Sequence, residues 1–155
     1  MKTSPALCFS IALANTRAFD DNAGCPRPIL VPRVDKLVVD KSRRRLTLMG
    51  RQRVVRSYRI SLGEDGRTPA GRYVVAGRNP KSPNHLALRL SCQAPSVPDR
   101  AGASLQIHGT PDWLGPLAIA LKGSDWTSGG IAVANDDIEE IWNLVTDGTP
   151  VVIRS

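Results

Sequence analysis

Histidine is nearly absent from this 155-residue chain, at two residues, and cysteine is little better represented, at three. His85 and His108 are too few for a His-rich catalytic metal centre. Cys8, Cys25 and Cys92 are too few and too scattered for a disulfide scaffold or a cysteine-rich zinc site. No metal or organic cofactor is therefore expected. Aromatic residues are sparse at 5%, and no apolar run is long enough to span a bilayer. Acidic residues are also in the minority: 14 Asp and Glu face 21 Lys and Arg, for a net charge of +7. That excess favours a polyanionic partner, whether nucleic acid, an anionic membrane or an acidic wall polymer, and by itself does not choose among them.

What is present suits one globular domain. Hydrophobic residues make up 41% of the chain, enough to bury a core, and 23% charged residues do not make a disordered polyelectrolyte. Thirteen glycines and twelve prolines point to many short strands and turns rather than a helical bundle.

The first 14 residues have the outline of an export signal: Lys2, a mostly apolar Ala6 to Leu13, and Ala12-Leu13-Ala14 as a small-x-small cleavage site. The segment is short and Pro5 sits at its edge, so a disordered or mis-started terminus is an equal reading. Ala23-Gly24-Cys25 hints at lipoprotein processing, against which Asn22 counts. If Cys8 leaves with a leader, Cys25 and Cys92 remain to pair in an oxidising compartment. Residues 15–33 hold three prolines and little periodicity and read as a linker, with the ordered domain over 34–154.

Val34 to Val39 and Arg45 to Met49 alternate as strands around the polar turn Asp40 to Arg44, a β-hairpin. Further strands are expected at 54–62, 72–76, 85–90, 104–107 and 151–153, with a break over 63–71. One helix is expected over 136–145. Ile138, Ile141, Trp142 and Val145 fall on one face, with Asn135 or Asp136 as N-cap and Glu139 and Glu140 near the start. The fold class is mainly β (α+β), a mixed β-sandwich with one late helix. Arg43-Arg44-Arg45 lies in a hairpin turn without interleaved aromatics, so it reads as a solvated turn rather than a nucleic-acid contact. Trp142 is expected in the core, while Trp113 and Trp126 sit in loops that are candidates to line a cleft.

Four pieces follow one another in order: Gly66-Arg67-Thr68-Pro69-Ala70-Gly71-Arg72-Tyr73, Ile107-His108-Gly109-Thr110, Asp125-Trp126-Thr127-Ser128-Gly129-Gly130-Ile131-Ala132-Val133, and the helix opening at Asn135-Asp136-Asp137-Ile138. In these pieces, and in Asp147-Gly148-Thr149-Pro150, the chain resembles the YkuD-type L,D-transpeptidase catalytic domain. It is closest to a branch reading Asp-Trp-Thr-x-Gly-Cys-Ile-Ala, over about Val34 to Ile153. The resemblance implies acyl transfer on peptidoglycan stem peptides in the periplasm or cell envelope. A cysteine thiolate attacks the bond before a terminal D-alanine, and an amine or water takes the acyl group. It places the general base at His108. Backbone N–H groups around Thr127, Ser128 and Gly129 would stabilise the oxyanion, and Gly109 and His85 would stand near the substrate, although His85 reads equally well as structural. At the nucleophile's position this chain has Gly130. Glycine has nothing to attack with, so the family's acyl-enzyme is not expected from the chain as written. Cys92 lies outside the motif, on another strand, and reads as a structural thiol. A monomer is expected, with a non-catalytic peptidoglycan- or partner-binding module as the alternative function and no nucleic-acid partner.

Overall fold

The computed structural model describes residues 31–93, 105–114, 117 and 124–155. Eight strands form one mixed sheet: β1 (Lys36–Asp40), β2 (Arg45–Gly50), β3 (Arg53–Arg59), β4 (Gly71–Ser82), β5 (His85–Cys92), β6 (Gln106–His108), β7 (Ile131–Ala132) and β8 (Pro150–Arg154). The spatial order is β3-β2-β1-β8-β4-β5-β6-β7. Neighbours pair antiparallel except β1 with β8 and β6 with β7, which are parallel.

The alternation that marked these strands decides which face is buried. Leu37 and Val39, Leu46 and Leu48, Tyr73 and Val75, Leu88 and Leu90, and Val151 and Ile153 all point into one core cluster. The helix α1 (Asn135–Leu144) packs on β5 and adds Ile138 and Ile141 to that core. Trp142, on the next position round, is only half-buried, and the Arg78 guanidinium lies 5.0 Å over its ring.

The hairpin turn is where it was expected, at Lys41–Arg44 between β1 and β2. The strand expected over 54–62 stops at Arg59, because the next residues change partners. Ile60 donates to the Arg44 carbonyl at 3.1 Å, and Ser61 exchanges two 2.9 Å hydrogen bonds with Ala132 of β7. That bridge joins the two ends of the sheet, so the layers facing each other across the core belong to one curled sheet. The strand expected over 72–76 runs on to Ser82, with two register shifts, one at Ala76 and one over Pro80 and Lys81.

The helix starts one residue early. Its N-cap is Ala134, with no side-chain cap, rather than Asn135 or Asp136. The Asn135 side chain is engaged elsewhere: its Oδ1 accepts from the Thr110 N–H at 2.7 Å and the Thr110 hydroxyl at 3.1 Å. Asp136 and Asp137 still place negative charge in the first turn, where the helix dipole favours it.

Candidate active site

The sheet's closing seam is also where the motif pieces meet. His108 ends β6, and β7, which pairs with it in parallel, begins one residue after Gly130. The imidazole is buried, and its Nδ1 lies 2.7 Å from the Gly109 carbonyl oxygen. A carbonyl can only accept, so Nδ1 carries the proton in the neutral ring and Nε2 is left with its lone pair. Burial holds the His108 pKa below the ordinary histidine value, with the Gly109 carbonyl opposing it weakly, which favours that neutral form. Trp126 stands edge-on to the ring, with centroids 6.1 Å apart and planes at 77°.

Nε2 faces Gly130. A Cβ built on Gly130 would lie 2.8 Å from His108 Nε2, 3.0 Å from Cδ2 and 3.2 Å from the Gln106 carbonyl oxygen, so a side chain there would abut the imidazole and require it to shift. The backbone of Gly130 lies outside the left-handed region, and nothing in its conformation requires glycine. Gly129, with φ of +122°, does occupy that region.

Two buried threonines fix the loop. The Thr127 hydroxyl donates to the Gly130 carbonyl at 2.7 Å, and the Thr127 N–H donates to the Leu62 carbonyl at 3.1 Å. Thr68, fully buried, accepts from the Gly63 N–H at 2.8 Å and directs its own hydroxyl at the Gly129 carbonyl, 3.1 Å away. The Thr127 N–H is thus spent inside the protein. The Gly129 N–H is 3.4 Å from the Thr127 hydroxyl, a long bond, and among the described residues the N–H groups of Ser128 and Gly130 have no backbone partner. At the start of the segment, Asp125 is gripped by Arg44 from the hairpin turn, at 2.9 and 3.1 Å. One member of the basic run is therefore not merely solvated.

A cleft of about 560 Å3 opens beside His108 and Gly130, with Trp113, Trp126, Thr127 and Ser128 among its lining residues. Of the residues singled out from the sequence, His108, Thr127, Ser128 and Gly130 line it, and Gly129 lies between two of them in the chain without lining it. Gly109 lies just behind, where a Cβ would stand 2.6 Å from Asn135 Oδ1 and 3.0 Å from the Asn84 carbonyl oxygen. His85 stands apart from the cleft lining, its Nε2 2.8 Å from Glu139 on the helix. Cys92, a free thiol, ends β5 five residues beyond Ala87, the residue that pairs with His108. At strand rise that is a separation of about 17 Å. Cys8 and Cys25 lie outside the described residues. Sequence reading missed Thr68 and the Arg44–Asp125 pair; the Thr in Gly66–Tyr73 was quoted only as part of a motif.

The profile of the YkuD L,D-transpeptidase catalytic domain matches residues 35–153. The chain belongs to that family. Among solved structures, it is similar to an L,D-transpeptidase from Mycobacterium smegmatis, with TM-score 0.60 and 17% identity over 77% of this chain and 58% of that one. It is also similar to Bd1075 of Bdellovibrio bacteriovorus, at 0.59 and 24% over 81% and 48%. An L,D-transpeptidase solved in complex with imipenem gives 0.57 and 19% over 76% and 57%. At these identities the likeness is one of fold, and this chain spans between about half and three fifths of each relative's length. No curated protein sequence matches. Among the described residues, no helix is long and apolar enough to cross a membrane.

Proposed function

We propose that the cleft beside His108 receives a peptidoglycan stem peptide in the cell envelope, and that the chain as written does not form the family's acyl-enzyme, because position 130 carries no nucleophile. The observation that supports this reading is the adjacency of position 130 to His108: a Cβ added there would meet Nε2, 2.8 Å away, with the ring as it stands. A thiol there would deliver its proton to a nitrogen already set up to accept it. The thiolate would then attack the carbonyl carbon preceding the terminal D-alanine, backbone N–H groups of the 127–130 loop would stabilise the oxyanion, and D-alanine would leave with the proton held on His108. With glycine there, the base has nothing to deprotonate. The neighbouring hydroxyl of Thr127 does not replace it, being turned inward onto the Gly130 carbonyl. What remains is a site that binds stems without transferring them, and the loss of the nucleophile costs several orders of magnitude in rate.

The test is to restore the sulfur. Gly130→Cys should take up one equivalent of imipenem, the ligand of a solved relative, by intact-mass spectrometry, while the unmodified chain takes up none. A folded Gly130→Cys protein that stays unlabelled would remove the active-site assignment. Labelling of the unmodified chain would show a nucleophile elsewhere.

A further inference from the structure

We propose that the outward side of the sheet around β1, β2 and β8 is a docking strip for a linear phosphate-bearing polymer without bases, gripped by a line of four arginines. None of the four lines the cleft, and the strip goes beyond the stem-peptide reading.

The strand registers build the line. Leu37 and Val39, Leu46 and Leu48, and Val151 and Ile153 turn into the core, so the residues alternating with them turn outward. Arg59 of β3 stands opposite Arg45 of β2, Arg45 opposite Asp40 of β1, and Asp40 opposite Arg154 of β8. Arg72 of β4 pairs with Val152, the next outward residue along β8 from Arg154. Arg59, Arg45, Arg154 and Arg72 are all exposed. Their line crosses five adjacent strands, about 19 Å at the ordinary spacing between strands. Lys36 lies off it, at the other end of β1.

The charge on this line is left open. Arg59 and Arg45 are like charges directly opposite each other on neighbouring strands, with Cβ atoms about 4.5–5.5 Å apart, an arrangement that destabilises a sheet. Asp40, the only carboxylate in these five strands, is committed elsewhere. Its Oδ1 accepts from the Ser42 hydroxyl at 2.7 Å and the Arg43 N–H at 3.0 Å, and its Oδ2 accepts from Arg154 Nη2 at 3.2 Å. Arg45, Arg59 and Arg72 have no ion-pair partner among the described residues.

The kind of partner follows from the groups and their layout. A guanidinium meets a phosphate with two parallel N–H···O bonds, which an ammonium cannot, and arginine stands at every place on the line. A line one residue wide suits a chain of charges rather than a surface. Beside it Val38, Met49 and Val152 are half-buried and offer nothing large to enter a membrane. Tyr58 and Tyr73, the two aromatic residues of these strands, are buried, so the strip gives nucleobases nothing to stack on.

The full chain is titrated against fluorescently labelled inorganic polyphosphate, followed by anisotropy, with single-stranded DNA of matched charge and vesicles of phosphatidylglycerol in phosphatidylcholine as rival probes. Polyphosphate should bind, more weakly as salt rises. The double variant Arg45→Gln, Arg59→Gln should lose about tenfold in affinity and flatten the slope against log salt by about 0.7 per arginine. Arg51→Gln with Lys81→Gln removes the same charge from turns off the strip and should change neither. A second readout is thermal. Without polymer Arg59→Gln should melt above the parent, and with saturating polyphosphate the order should reverse. Equal weakening in the two double variants would reduce the effect to net charge and overturn the strip. Vesicle binding without polyphosphate binding, tighter binding of the DNA, or no binding at all would overturn it too. Each of these results leaves the stem-peptide reading untouched.

Discussion

Arg44 reaches across 81 residues of chain to hold Asp125 with two hydrogen bonds, of 3.1 Å from Nε and 2.9 Å from Nη2. The hairpin turn thereby fixes the first residue of the segment that ends at Gly130. The guanidinium's hydrogen bonds hold the Asp125 carboxyl below its ordinary value of 3.8, against a smaller opposing effect of partial burial, with the charge of Arg44 adding to the depression. A depressed carboxyl stabilises the fold above its unfolded value and loses that contribution as the pH falls toward the folded one. Asp125→Asn should therefore lower the melting temperature at about pH 7, and the difference from the parent should shrink by about pH 3. A difference that persists at low pH would mean the ion pair is not its source.

His108 gives a dependence of the same sign in a higher pH window. Burial depresses its folded pKa below 6.5, so the unfolded chain takes up a proton first as the solution is acidified. Above that value neither state is protonated and the group contributes nothing. Below it, stability falls until the folded value is passed. Urea midpoints should thus drop more between about pH 7 and pH 5 in the parent than in His108→Gln. Equal slopes would show that the imidazole protonates as readily inside the protein as outside, which would undercut its description as a neutral base.

Thr68 joins two loops at one oxygen: it accepts from the Gly63 N–H and donates toward the carbonyl of Gly129. Thr68→Val keeps the shape and orphans a buried N–H, which should cost about 1–3 kcal/mol in urea unfolding. Thr68→Ser keeps the hydroxyl and should lose less. If the serine and valine variants are equally stable, the hydroxyl is not what secures the loop.

These cases mark the boundary of what could be read along the chain. Leu46 and Leu48, or Ile138 and Ile141, announce their strand and helix by spacing alone, because their burial follows from the local period. His108 and the 125–133 segment were legible through the order of their motifs. The Arg44–Asp125 pair, the Thr68 bonds, the Ser61–Ala132 bridge and the diversion of Asn135 to Thr110 all join residues far apart in sequence. No periodicity encodes such contacts. Arg44 sits in a run that reads as solvated charge, and Asn135 sits where a helix cap is expected. In both, a tertiary partner outweighs the local preference.

Gly129 and Gly130 are adjacent and alike in sequence, yet substitution should separate them. At Gly129 the φ of +122° is one that L-residues rarely adopt, although a Cβ would meet nothing closer than the Arg67 carbonyl oxygen at 3.6 Å. Gly129→Ala should cost about 1–3 kcal/mol through backbone strain. At Gly130 the backbone is not left-handed, and a Cβ would stand 2.8 Å from His108 Nε2 and 3.2 Å from the Gln106 carbonyl oxygen, so the cost falls on displacing the imidazole rather than on the backbone conformation. Gly130→Ala should therefore cost less than Gly129→Ala in chemical denaturation and should shift the His108 ring resonances in NMR spectra. The reverse order of stabilities would mean that glycine at 130 is demanded by the fold. In that case Gly130→Cys could not be accommodated, and the position could not be read as a nucleophile's seat.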